Sequence, residues 1–142
     1  MTSRHPTVRM GKAQDAASVL ELWHEARSAH ASTADRLQDV QRLLSETPGS
    51  LLVAEGNGVI VGVLIAAWDG WRGNMHRLAV LSTHRRQGIG IALVRAGEEH
   101  LQSQGACRIT ALVGYDDATA EAFWDSAVYP QDHQIGRRVR NL

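Results

Sequence analysis

Two arginines and two glycines stand directly before an apolar segment, in the stretch RRQGIG at residues 85–90. The first amide groups of a helix have no intrahelical partners, and together they carry about half a positive charge. Glycine lets an anion approach that backbone closely, and the arginines add positive charge beside it. The residue types and their spacing favour a cradle for a phosphate group. A flexible helix start with incidental glycines is the alternative.

Two common phosphate-binding patterns do not fit this stretch. A P-loop would end in Gly-Lys-Ser or Gly-Lys-Thr, which is missing here. A dinucleotide fingerprint counted from Gly88 would need a third glycine where Leu93 stands. What remains is Arg85-x-x-Gly88-x-Gly90. This short pattern indicates a phosphate site only if a strand precedes it and a helix follows it.

A histidine lies just upstream, in the apolar segment MHRLAVL at residues 75–81. The ordinary pKa of histidine, about 6.5, suits proton transfer at neutral pH. His76 is therefore a candidate general base, and a half-buried histidine bonded to backbone is the alternative. Asp69 and Asp116, acting through water, are weaker candidates. Strict alternation along a strand predicts two faces, with His76, Leu78 and Val80 on one and Met75, Arg77 and Ala79 on the other.

The pattern of apolar residues predicts the elements that must position these side chains. The hairpin at residues 50–68 would turn at Asn57-Gly58. The order β-α-α-β-β-β-α-β-α-β predicts an α/β fold, a mixed and mostly antiparallel sheet with helices on both faces. The remaining predicted strands are 7–10, 75–81, 106–114 and 134–141, and the predicted helices are 15–30, 33–49, the segment after the glycines to about Gln104, and 116–127.

Length and charge limit the class of protein. The 142 residues suit a single domain, 1–142, and fifteen acidic side chains balance fifteen basic ones. This balance argues against a general binder of nucleic acid, and the arginines of GRRVRN are interpreted as protection of an edge strand. No apolar run approaches the roughly 20 residues of a membrane helix. The N-terminal residues lack the core of a signal peptide, so the sequence predicts a cytoplasmic protein.

Metal and disulfide chemistry are not expected. The seven histidines show no close pairing such as His-x-x-x-His, so no metal site is predicted. Cys107 is the single cysteine, which excludes an internal disulfide. It lies in a strand pattern and is predicted to be a small core residue.

The segment RLAVLSTHRRQGIGIALV, residues 77–94, resembles the acyl-CoA-binding core of the GNAT superfamily of N-acyltransferases. The family signature Gln/Arg-x-x-Gly-x-Gly/Ala is matched by Arg85, Gly88 and Gly90. The order of elements is similar from about residue 7 to the C-terminus. WDGWRGN before the strand is similar to a group of small bacterial acetyltransferases with largely unassigned substrates.

The resemblance implies acetyl-CoA as co-substrate and no metal. In the family, the strand that LAV resembles pairs with the pantetheine arm, and an amide, here that of Val80, meets the thioester carbonyl. A histidine in the place of His76 assists amine deprotonation in some arylalkylamine-type relatives. The positions that the resemblance places against the cofactor are Leu78, Ala79, Val80, Arg85, Arg86, Gln87, Gly88, Ile89, Gly90, Ile91, Asp117 and Trp124.

The last helix departs from the family pattern. Asp117 stands where the family has Asn, and Val128 stands at the Gly of a Gly-Phe pair. Trp124 stands where many members carry the Tyr that protonates the departing thiolate, and an indole cannot donate that proton at a useful pKa. The general acid therefore stays open. Tyr129 matches the Phe of the pair, which indicates core packing.

The resemblance implies an N-acetyltransferase that moves acetyl from acetyl-CoA to an amine by direct attack in a ternary complex. The acceptor would be a small molecule or a protein amino group, and the sequence does not identify it. The alternative is a catalytically weak or inactive acyl-CoA-binding regulatory module, which Trp124 and the lack of a carboxylate on the LAV strand favour. Relatives of this size are often homodimers, and the oligomeric state stays open.

Overall fold

The computed structural model describes residues 5–26, 34–114 and 117–142. Within these residues the chain forms five strands and four α-helices. In chain order they are β1 (Thr7–Met10), α1 (Ala16–Glu25), α2 (Leu37–Glu46), β2 (Leu51–Gly56), β3 (Val59–Trp68), β4 (Gly73–Val80), α3 (Ile89–Gln104), β5 (Ile109–Ala111) and α4 (Ala118–Ser126).

The strands lie in the sheet in their chain order, from β1 to β5. Neighbours pair antiparallel except β4 and β5, which are parallel because α3 carries the chain back across the sheet between them. Asn57 and Gly58 join β2 to β3 with φ angles of 53° and 77°. Both angles are positive, as the tight hairpin turn requires. The predicted mixed, mostly antiparallel sheet is confirmed.

Each face of the sheet is covered by helices. In β2, Leu51 and Val53 pack towards α1 and α2, whereas Leu52 and Ala54 pack towards α3. Side chains of a strand point alternately to the two faces, so this strand contributes to two separate cores. The prediction of helices on both faces is confirmed.

The sheet ends earlier than the sequence predicts. The predicted last strand at 134–141 is not formed, and residues 130–142 are exposed coil. A strand there would put Arg137 between Ile135 and Val139 on one face, which leaves no continuous apolar surface to bury. Strand β5 is also shorter than predicted, since only Ile109–Ala111 pair. Cys107 lies before that strand and is exposed, so its prediction as a core residue is wrong.

Helix α4 ends at a residue in the left-handed conformation. The Tyr129 amide donates to the Trp124 carbonyl at 2.9 Å, and the Val128 amide donates to the Asp125 carbonyl at 3.0 Å. These two bonds form a Schellman motif, in which glycine is the favoured residue at the position of Val128. Val128 has a φ of 69°. The family glycine noted at this position therefore has a conformational reason.

Replacing Val128 with glycine should stabilise the fold by about 1 kcal/mol, because a left-handed conformation is strained for a β-branched side chain and free for glycine. Little apolar burial is lost, since Val128 is 76% exposed. Urea unfolding followed by circular dichroism would measure the free energy of unfolding. A variant less stable than the parent would contradict this account of the helix end.

Candidate functional site

Strand β4 pairs with β5 only over the first three residues of β4. Gly73–Met75 are in register with Ile109–Ala111, and the Leu112 amide donates to the Met75 carbonyl at 3.1 Å. Beyond Met75, β4 continues to Val80 with β3 on one side and no strand of the described chain on the other. The sheet therefore has an opening along residues 76–80, which we call the β4–β5 gap.

The backbone of Val80 faces this gap. The Leu81 amide donates to the Val61 carbonyl at 2.9 Å, and Val80 stands opposite Gly62 in the β3–β4 register. In an antiparallel pair, residues that bond across the ladder alternate with residues whose amide and carbonyl point outward. Val80 is of the outward kind. Its carbonyl accepts a hydrogen bond from Arg85 Nε at 3.3 Å.

A β-bulge interrupts β4 just before these residues. Ile65 stands opposite His76 and Val63 stands opposite Ala79, so two residues of β4 face the single Leu64 of β3. One of the two is Arg77, whose φ of 59° is left-handed. Such an extra residue reverses the alternation of side chains along the rest of the strand.

Because of the bulge, the side chains of β4 do not point to the faces that strict alternation predicts. His76 stands opposite Ile65, which belongs to the core under α1 and α2, and directly opposed side chains share a face. Leu78 and Val80 pack instead against the core under α3 and α4. The prediction that His76 shares a face with Leu78 and Val80 is therefore wrong. Met75 and Ala79, predicted to share the other face, are likewise divided between the two cores.

His76 is half-buried on the side of α1 and α2. Burial lowers the pKa of His76 below its ordinary value, and the positive charge of Arg137 acts in the same direction. The neutral imidazole, which is the form that accepts a proton, therefore prevails at neutral pH. This arrangement suits a general base.

The other two candidates for the general base are Asp69 and Asp116. Asp69 lies in the β3–β4 turn, where its Oδ1 accepts the Arg72 and Trp71 amides at 2.6 and 2.8 Å. These amides lower the pKa of the Asp69 carboxyl, and the two hydrogen bonds stabilise the turn. Asp116 lies outside the described residues.

The arginine–glycine loop leads into α3 with an open backbone. Arg86 and Gly88 have φ angles of 62° and 81°, and Gly88 is the N-cap of α3 without a side-chain capping bond. Residues 85–88 are exposed. A Cβ added at Gly88 would meet no atom within 4 Å. The first amides of α3 are thus accessible to an anion, in line with the predicted cradle.

The neighbouring positions of the loop have packing roles. A Cβ at Gly90 would lie 2.8 Å from Phe123 Cε1, so glycine here lets α4 approach the start of α3. A valine at Gly90 would therefore disturb the packing of α4 and would not report on a phosphate alone. Ile89 is buried and Ile91 packs against the same core. Cofactor contacts at these positions stay a prediction.

Asp117 caps the start of α4, and Trp124 packs in the core near its end. Asp117 Oδ1 accepts the Ala120 amide at 3.0 Å and so caps the helix. Trp124 is buried, with its ring centroid 5.3 Å from that of Phe123 and 5.1 Å from that of Tyr129. The predicted contacts of Asp117 and Trp124 with the cofactor stay predictions.

Tyr129 is held from the side of α3. Its hydroxyl donates to Glu98 Oε2 at 2.7 Å. Burial and this hydrogen bond raise the pKa of Tyr129 above its ordinary value. The contacts support its interpretation as a packing residue.

Sequence reasoning missed one cluster that borders the site. The Trp23 indole donates to the backbone carbonyl of Arg77, and the Arg77 side chain pairs with Asp35. Trp23 is a core residue with 6% exposure, and its bond to the bulge was not foreseen. No local pattern in the sequence connects residues that are 54 and 42 positions apart.

Two other features concern the described part of the chain only. Its residues include no group of three or more histidine, cysteine, aspartate or glutamate side chains that could hold a metal ion. None of its helices has the length and apolar character needed to cross a bilayer.

The fold is shared with known acetyltransferases. The solved structure of an aminoglycoside N-acetyltransferase in complex with CoA superposes with a TM-score of 0.81 at 14% identity, covering 100% of this chain and 98% of that chain. At this identity the likeness concerns the fold.

Sequence comparisons connect the chain to bacterial proteins. An acetyltransferase of Pectobacterium atrosepticum is 30% identical over 122 residues, which is 86% of each protein. An acetyltransferase of Photorhabdus laumondii is 29% identical over 127 residues, covering 89% of this chain and 88% of that protein. The model of the Acetyltransferase (GNAT) family matches residues 16–127. The chain therefore belongs to the GNAT family of acetyltransferases.

Proposed function

We propose that this acetyltransferase transfers the acetyl group of acetyl-CoA to an amine by direct attack in a ternary complex. The observation that carries the proposal is the outward-facing Val80 backbone in the β4–β5 gap, next to the open start of α3. An amide directed at a thioester carbonyl would stabilise the negative charge that develops on its oxygen during attack.

The pyrophosphate of the cofactor would lie at the start of α3. The exposed Arg86 and Gln87 offer a charge and a hydrogen-bond donor, and the amides from Gly88 onward offer unpaired donors. Arg85 already contacts the Val80 carbonyl, so it would connect the cradle to the gap. The pantetheine arm would then run along residues 78–80.

The amine would reach the thioester from the opposite side of β4. His76 faces α1 and α2, so a proton leaving the amine would meet the imidazole on the acceptor side. On that side Asp35 has one oxygen, Oδ2, that is buried and lacks a hydrogen-bond partner in the described structure. This oxygen could accept a hydrogen bond from an amine or hydroxyl of the acceptor. A small-molecule or protein amine fits these groups.

A dedicated general acid is not needed for this reaction. An ordinary alkyl thiol has a pKa of about 8.5, so its thiolate is a fair leaving group near neutral pH. Loss of a general acid costs about 10²- to 10⁴-fold in rate. We therefore propose an enzyme with a low kcat. We also propose that it acts in the bacterial cytoplasm, and the homodimer stays a prediction.

Calorimetry with acetyl-CoA, followed by thiol release over a panel of primary amines, would test the proposal. We expect binding of acetyl-CoA, and release of CoA that depends on the amine. Binding without release for any amine would favour the regulatory module, which the buried Trp124 in place of a phenol also favours. Absence of binding would contradict both functions.

Replacing Tyr129 with phenylalanine should leave kcat nearly unchanged and lower the free energy of unfolding by about 1 kcal/mol. Its hydroxyl is committed to Glu98, and that carboxylate keeps its bond from Arg95 NH1 at 2.7 Å. Steady-state kinetics and urea unfolding would measure the two effects. A large loss of kcat with unchanged acetyl-CoA affinity would instead identify Tyr129 as the proton donor.

A further inference from the structure

The β4 bulge depends on a residue in an unfavourable conformation. Arg77 has a φ of 59°, a region that residues with a Cβ adopt at an energetic cost. The extra residue of a bulge also leaves the regular ladder, so its backbone groups need other partners. A conformation of this kind persists only where surrounding contacts determine it.

Three contacts from the side of α1 and α2 hold Arg77 in this conformation. Trp23 Nε1 donates to the Arg77 carbonyl at 3.0 Å, and Trp23 is only 6% exposed. The Arg77 guanidinium lies over the same indole, 4.7 Å from the ring centroid. It also donates to Asp35, whose side chain is 9% exposed. We call these residues the Trp23–Arg77–Asp35 cluster.

The contacts differ from ordinary surface pairs. An exposed ion pair is weak because water screens it, whereas both partners here are largely withdrawn from water. The indole of Trp23 acts on Arg77 twice, through its N–H on the backbone and through its ring on the side chain. One residue of α1 and one before α2 thus fix the same residue of β4.

We propose that Trp23 and Asp35 are positioning residues for the acyl group. They hold Arg77 in its left-handed conformation, and the bulge in turn directs the backbone of the following residues, including Val80, into the β4–β5 gap. The inference rests on the proposed function, since it concerns the thioester end of the cofactor. The cores on both faces also require the bulge, because Met75 and Ala79 are buried on opposite sides. The bulge therefore does not depend on the cluster alone. The role of the cluster is to limit the range of backbone conformations that residues 77–80 can adopt.

Two ligands separate the gap from the cradle in an experiment. Adenosine 3′-phosphate 5′-diphosphate carries the nucleotide and pyrophosphate of acetyl-CoA without the pantetheine arm and thioester. Its affinity reports on the start of α3, and the additional affinity of acetyl-CoA reports on the gap. The ratio of the two dissociation constants is thus a readout that general loss of stability does not change.

Trp23→Phe removes the N–H donor and keeps an aromatic ring under Arg77. We expect acetyl-CoA affinity to fall by up to about tenfold, because the free energy of the lost hydrogen bond would then no longer help to hold the backbone of residues 77–80 in place for the ligand. Affinity for the nucleotide should stay within about twofold, because the cradle is untouched. Trp71→Phe is the matched control, since Trp71 is 84% exposed, and it should change neither affinity. Asp35→Asn, which keeps the side-chain shape, should lower acetyl-CoA affinity in the same selective way.

The outcomes distinguish the inference from the function on which it rests. If both affinities fall together in Trp23→Phe and Asp35→Asn, or if neither changes, the cluster does not position the acyl group. If the parent binds the nucleotide and acetyl-CoA equally well, the gap does not bind the pantetheine arm. If the parent binds neither ligand, the proposed function itself fails.

Discussion

Replacing His76 with glutamine should lower kcat by about 10²- to 10⁴-fold, the usual contribution of a general base. Glutamine keeps a polar side chain of similar length but cannot take a proton from the amine. The dissociation constant of acetyl-CoA should stay nearly constant, because His76 faces α1 and α2 and the cofactor would lie on the other side of β4.

The role of His76 as a base also predicts how kcat/KM depends on pH. A base acts when deprotonated, so kcat/KM of the parent should rise with pH as His76 loses its proton. Because burial and Arg137 lower the pKa of His76, the midpoint of this rise should lie below the ordinary value of about 6.5. The rise should be missing in the glutamine variant.

A second histidine offers the control for these kinetics. His100 lies on α3 with its ring against Gly49, outside the gap and the cradle, and His100→Gln should keep the parent profile. If His76→Gln also keeps kcat/KM within about twofold of the parent over the whole pH range, against the expected effect of a base, His76 is a structural residue.

Replacing Gly88 with valine should weaken acetyl-CoA binding by about tenfold to a hundredfold. Hydrogen bonds to charged groups are worth about 1.5–3 kcal/mol each, and at least one to the pyrophosphate would be lost. Gly88 has a φ of 81°, which a β-branched residue adopts only under strain, so the loop would leave the conformation that exposes its amides. Calorimetry on the folded variant would measure the affinity.

The β2–β3 turn supplies a matched control for this substitution. Gly58 has a φ of 77°, and a Cβ there also meets no atom within 4 Å. Gly58→Val should therefore cause a similar loss of stability and leave acetyl-CoA affinity unchanged. If Gly88→Val binds acetyl-CoA as well as Gly58→Val does, the arginine–glycine loop is not the cradle.

The parts of the fold that depend on local pattern could be predicted from the sequence. The Asn57-Gly58 turn, the continuous apolar run of β2 and the helix after Gly88 are each encoded within a few neighbouring residues. The order of these elements, together with the resemblance, was sufficient for the mixed sheet of β1 to β5 and for the position of the arginine–glycine loop, but not for the end of the sheet.

The parts that depend on distant contacts could not be predicted in this way. Alternation assigns His76 correctly only if β4 is regular, and the bulge at Arg77 is fixed by its pairing with β3 and by Trp23 in α1. The packing role of Gly90 likewise depends on Phe123 in a helix that comes later in the chain. An apolar–polar pattern near the C-terminus was insufficient for a strand, because Arg137 interrupts the surface to be buried.

The division of β4 into two sides has a consequence for how such a protein can change over generations. Substitutions on α1 and α2 can reshape the proposed acceptor side while the arginine–glycine loop and α3 keep their own core. If the proposed assignment of the two sides holds, new acceptors can be acquired without change on the cofactor side. Trp23 and Asp35 would be the exceptions, because we propose that their contacts with Arg77 position the backbone that faces the cofactor. A lineage that altered its acceptor preference would therefore be expected to retain these two residues.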